Sequence, residues 1–101
     1  AIVTPTHSGR TAQLVASLRP RVPIIALTSR ETTRRQLALV WGTRARALPG
    51  HVPLPELRRW ALRTTRAVLG GRREITVVLT AGYPVEGRPT NLVTVVDGTE
   101  L

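Results

Sequence analysis

Ala1-Ile2-Val3-Thr4-Pro5-Thr6-His7-Ser8-Gly9-Arg10-Thr11-Ala12 is the stretch that sets the fold class of this chain. Ala1 to Val3 reads as a short buried strand. From Ala12 to Leu18 the pattern becomes helical, with Thr11, Leu14, Val15 and Leu18 recurring at helical spacing. Between the two lie hydroxyls, one glycine and a guanidinium. Where a strand hands over to a helix, backbone N–H groups and the positive end of the helix dipole meet at one point, a good seat for a phosphate. Plain helix capping also asks for Ser or Thr at this place, so spacing alone leaves the two readings level.

The alternation continues to the end of the chain. Arg19-Pro20 closes the first helix, because proline disfavours helical geometry in the residue before it. Pro23 introduces Ile24-Ile25-Ala26-Leu27, an apolar run suited to a central strand. Thr28 or Ser29 can cap a second helix on which Thr33, Leu37, Val40 and Trp41 share a face, with Gly42 as its stop. Ala45 to Leu48 is a strand candidate, and His51 to Pro55 is a proline-rich turn. A third helix follows, with Leu57, Trp60, Ala61, Thr64 and Val68 in one stripe and Gly70-Gly71 at its close. Ile75 to Thr80 is the clearest strand, Ala81 to Thr90 a loop by its glycines and prolines, and Leu92 to Val96 a last strand. The expectation is one α/β domain over residues 1–101, built as three α/β/α layers. Its five-stranded, mostly parallel sheet has the order 3-2-1-4-5, with the last strand antiparallel at an edge.

Composition narrows the function. At 101 residues with 42% hydrophobic content, the chain can bury a core without disulfides or metals. Cysteine is absent, which removes thiol catalysis and thiolate metal sites. With no membrane-length apolar run and no signal peptide, a cytoplasmic location is expected. The net charge of +9 comes from fifteen arginines and no lysine. They are scattered in ones and twos, and Trp41, Trp60 and Tyr83 are far apart in sequence. A solvated arginine-rich surface therefore fits better than a nucleic-acid interface. Such one-sided usage points to a GC-rich genome. The six carboxylates show no paired spacing for a metal, and His51 reads as a surface residue.

In open sheets of this kind ligands sit beyond the carboxyl ends of the strands. The first strand-to-helix turn and the loop after Ile75–Thr80 both leave from such ends. Together they would offer Thr6, His7, Ser8, Gly9, Arg10 and Thr11 from one side and Gly82, Tyr83, Gly87, Arg88 and Thr90 from the other. Ser8, Thr11 and nearby amides would act as donors, with Arg10 or Arg88 as counter-charge.

Several of these segments resemble one family. Thr6-His7-Ser8-Gly9-Arg10-Thr11-Ala12, then Arg19-Pro20-Arg21-Val22-Pro23-Ile24-Ile25-Ala26-Leu27-Thr28, then Arg35-Gln36-Leu37-Ala38-Leu39-Val40-Trp41-Gly42 closely resemble the C-terminal domain of pyruvate kinase. Val78-Leu79-Thr80-Ala81-Gly82-Tyr83-Pro84, followed by Gly87-Arg88-Pro89-Thr90-Asn91, resembles that domain's final hairpin. Ala45 to Arg73 departs from the pattern, and no residue is carried over there.

The resemblance implies the regulatory and assembly module of an enzyme that converts phosphoenolpyruvate and ADP to pyruvate and ATP. Such a domain binds a phosphorylated effector, at Thr6–Thr11 and Gly82–Thr90 here, and contributes to a homo-oligomer. His7 stands where better-known members carry lysine, and Glu86 adds a negative charge to the later loop. Both shift the expectation from a sugar bisphosphate toward a sugar monophosphate or nucleotide. The family's catalytic (β/α)8 barrel, with its lysine, Mg²⁺ and K⁺, has no counterpart in these residues. The domain is therefore expected to hold no cofactor and to be inactive alone. The start at Ala1 suggests an excised or naturally reduced domain. The alternatives are a free-standing ligand-binding or oligomerisation module with no link to catalysis, a nucleic-acid binder, or a domain whose effector site has decayed.

Overall fold

A computed structural model describes residues 1–50, 52–71, 75–81 and 92–97. The chain runs β1 (Ile2–Pro5), α1 (Arg10–Ser17), β2 (Ile24–Thr28), α2 (Glu31–Leu37), β3 (Thr43–Ala47), α3 (Leu54–Val68), β4 (Thr76–Ala81) and β5 (Leu92–Asp97). The sheet order is β3-β2-β1-β4-β5. Its first four strands are parallel, and β5 runs antiparallel to β4 at the edge. The expected architecture and strand order are both observed.

Every residue of β2 is buried, which fits a strand covered on both faces. On one face, Leu57, Ala61 and Leu62 of α3 pack with Val3, Ile25, Leu27, Val77, Leu79 and Val96. On the other, Ala12 of α1 and Leu37 of α2 close over Ala26, with Val40 and Ala45 half-buried beside them. β3 carries exposed Arg44 and Arg46 at the opposite edge, the kind of charge that discourages strand addition.

Local differences from the sequence reading have physical causes. Helix α2 stops at Leu37 instead of running to Gly42. Ala38, Leu39 and Val40 donate their N–H groups to the carbonyls of Arg35, Gln36 and Leu37, three residues back, so the chain tightens and turns. Trp41 consequently leaves the helical face. It lies 46% exposed, with the Arg19 guanidinium 4.6 Å from its ring centre. Neither Thr28 nor Ser29 caps α2; Arg30 is the cap residue, and its N–H donates to Thr28 Oγ1. In α1 the buried residues are Ala12 and Ala16, while Leu14 and the C-cap Leu18 are exposed. Small side chains let this helix approach β2 closely.

Glu31 opens α2 and accepts hydrogen bonds from Nε of Arg34 at 3.0 Å and Nε of Arg35 at 3.2 Å. The Arg34 hydrogen bond holds its carboxyl below the usual carboxylate range. A depressed folded-state pKa contributes stability above the unfolded value and loses it as pH falls through the folded one. Glu31→Gln should therefore lower the melting temperature slightly at pH 7 and low salt. The gap should close in acid and in high salt, as measured by scanning calorimetry.

Candidate functional site

The turn after β1 is built by hydrogen bonds on three sides. Thr6 donates its N–H to the Leu27 carbonyl at 2.8 Å, which carries the β1–β2 pairing one residue past Pro5. The Gly9 N–H donates to Thr6 Oγ1 at 2.9 Å, closing the turn on itself. Thr33 of α2 then donates its hydroxyl to the His7 carbonyl at 2.8 Å. Thr6 and Gly9 are buried, Thr11 is half-buried, and His7, Ser8 and Arg10 face solvent.

Gly9 itself is the N-cap of α1, in the left-handed region at φ 89°, and offers no side chain to the helix. Ser8 Oγ accepts from the Arg10 N–H at a long 3.4 Å. The hydroxyls of this turn therefore shape the loop more than they cap the helix. This bears on the two readings of the sequence. A helix begun without a capping side chain can turn its leading amides to an external acceptor.

β1 and β4 are parallel neighbours, with Ile2 beside Val78 and Val3 beside Leu79, so both strands end on the same edge of the sheet. The other half of the expected site (Gly82, Tyr83, Gly87, Arg88 and Thr90) lies outside the described residues, as does His51. Within the sheet, the hydroxyl oxygens of Thr4 and Thr80 are buried without a hydrogen-bond partner among the described residues. They stand on β1 and β4, one step past the Val3–Leu79 pair.

Sequence reasoning does not reach two contributors. Thr33 and Leu37 sit behind the turn, and their helical spacing marks them as a shared face without saying what that face supports. Away from the turn, a depression lies at the start of α3, about 250 Å³ and lined by Leu54, Pro55, Arg58, Arg59 and Leu62. There Nη2 of Arg58 donates to Thr94 Oγ1 at 3.5 Å. Among the described residues no three His, Asp or Glu side chains come together as a metal site, and no helix is long and apolar enough to cross a membrane.

Comparison with known proteins gives the family. Residues 1–96 match the family described as "Pyruvate kinase, alpha/beta domain". A pyruvate kinase from Geobacillus stearothermophilus is 47% identical over 98 residues, covering 94% of this chain and 16% of that protein. One from Bacillus licheniformis is 37% identical over 95 residues, again 94% and 16%. One from Staphylococcus haemolyticus is 41% identical over 92 residues, covering 89% and 15%. The chain thus spans about one sixth of the length of these relatives.

Proposed function

Because the chain belongs to the pyruvate kinase alpha/beta-domain family, we propose that it is the effector-binding and assembly domain of a pyruvate kinase. In this reading the turn from Thr6 to Thr11 holds a phosphate group, and Gly82, Tyr83, Gly87, Arg88 and Thr90 close over the ligand from the later loop. The observation that carries it is the α1 start: a glycine cap with no side chain bonded to the helix end, and Ser8 and Arg10 exposed on either side of it. His7 in place of lysine favours a sugar monophosphate or nucleotide over a bisphosphate.

The chain carries no lysine. Phosphoryl transfer, with the Mg²⁺ and K⁺ it requires, belongs to a catalytic barrel outside these residues. Ligand binding here acts on that barrel only through a difference in affinity between two states of the whole enzyme. The assembly half of the proposal is favoured by exposed Leu14 on α1, Leu18 at its C-cap, and Val93 and Val95 on the edge strand β5. Apolar surface of this kind suits contact with a catalytic domain or a second copy.

Replacing Arg10 with Ala tests the site. A charged hydrogen bond of roughly 1.5–3 kcal/mol corresponds to a loss of about tenfold or more in affinity. Calorimetric titration with ribose 5-phosphate, AMP, fructose 1,6-bisphosphate and inorganic phosphate should show that loss for the ligand that binds. The melting temperature of the unliganded variant should stay close to wild type, since Arg10 is exposed. Equal affinity in variant and wild type, or no binding of any of the four, would overturn the reading.

A further inference from the structure

Thr33 is 2% exposed, and its hydroxyl donates to the carbonyl of His7, 26 residues earlier in the chain. We propose that Thr33 is a positioning residue that aims the Ser8 amide at the bound anion. This rests on the reading of Thr6–Thr11 as a phosphate seat and adds to it a residue from a different helix.

The argument is one of peptide geometry. A peptide unit is planar and trans, so the carbonyl of one residue and the N–H of the next point in opposite directions. Thr33 draws the His7 carbonyl toward α2. The Ser8 N–H must then face away from α2, on the exposed side of the turn where His7, Ser8 and Arg10 lie. That N–H has no hydrogen-bond partner among the described residues. A flip of the His7–Ser8 peptide would turn a carbonyl outward, and a carbonyl repels an anion where an amide attracts it. Thr33 holds the peptide against that flip.

The same helix grips the turn a second time. A Cβ placed on Gly9 would lie 3.4 Å from Thr33 Cγ2 and 3.2 Å from Leu37 Cδ2. The turn is thus held by α2 on either side of Ser8, by a hydrogen bond at His7 and by side chains that leave no room for a Cβ at Gly9. Thr33 touches no ligand in this scheme. Its hydroxyl acts through the backbone.

The test compares Thr33→Val, which keeps the shape and removes the donor, with Thr33→Ser, which keeps the donor. Titration calorimetry with the phosphate ligand that the wild-type chain binds should show about a tenfold loss for the valine variant, the scale of one hydrogen bond to a charged group. The serine variant should stay within about threefold of wild type. Wild-type affinity in a folded Thr33→Val chain overturns the assignment. A second measurement needs no variant: in a ¹H–¹⁵N titration of the wild-type chain, the Ser8 amide should be among the most strongly shifted. Binding with an unshifted Ser8 amide overturns the role of Thr33 and leaves the site standing. Absence of binding by inorganic phosphate, ribose 5-phosphate, AMP and fructose 1,6-bisphosphate removes the site and this role together.

Discussion

Gly9→Ala is expected to destabilise the chain by about 1–3 kcal/mol from backbone strain alone, because φ at this position is 89° and an L side chain pays for that conformation. Packing adds to the strain. The new methyl would lie 3.2 Å from Leu37 Cδ2, and Leu37 is fully buried, so it has little freedom to retreat. In a domain of this size each kcal/mol lowers the melting temperature by about 4–8 °C. Gly42→Ala provides the comparison. Its φ is 64°, also in the left-handed region, but a methyl added there would meet nothing within 4 Å. Thermal unfolding of both variants separates the two effects, with Gly9→Ala the more damaging by the contact with Leu37. Equal melting temperatures for the two would show that the helix behind the turn does not constrain it. Gly9→Ala should also weaken phosphate binding beyond what its stability loss explains, since relief of the strain moves the backbone between Ser8 and Arg10.

How far the sequence alone reveals this arrangement depends on which physical signal each residue sends. Ile24 to Leu27 announces a central strand because every position is apolar, and all of β2 is indeed buried. Ser8-Gly9-Arg10 announces a strand-to-helix turn because glycine and hydroxyls punctuate two apolar patterns. β3 sends a poorer signal. Thr-Arg-Ala-Arg-Ala has little burial to encode, as an edge strand with arginines facing solvent, and its pattern becomes legible only from Ala45, two residues after the strand begins. The second helix misleads for a different reason. Leu37, Val40 and Trp41 keep a helical spacing, but the backbone tightens after Leu37 and turns Trp41 onto the surface beside Arg19. Nothing in side-chain periodicity reports a change in backbone hydrogen bonding. The link between Thr33 and His7 is illegible for the same kind of reason: it joins residues 26 apart through a backbone carbonyl, and carbonyls are common to every residue.

Leu37→Ala carries the other large expectation. On its side of the sheet Leu37 is the one large side chain in a buried group whose remaining members are Ala12 and Ala26. Truncation would leave three alanines facing one another, with only the half-buried Val40 and Ala45 at the margin of the space. Replacing a buried leucine by alanine costs about 2–5 kcal/mol, toward the upper end where neighbours cannot collapse. The melting temperature should fall by more than about 10 °C. Leu79→Ala is the matched control, since Leu79 is equally buried on the α3 side among many larger neighbours. Both variants should unfold earlier, but only Leu37→Ala removes the support behind Gly9. Phosphate affinity measured well below either melting temperature should therefore drop for Leu37→Ala and hold for Leu79→Ala. If the two variants lose affinity alike, the loss is one of general stability, and α2 has no special hold on the turn.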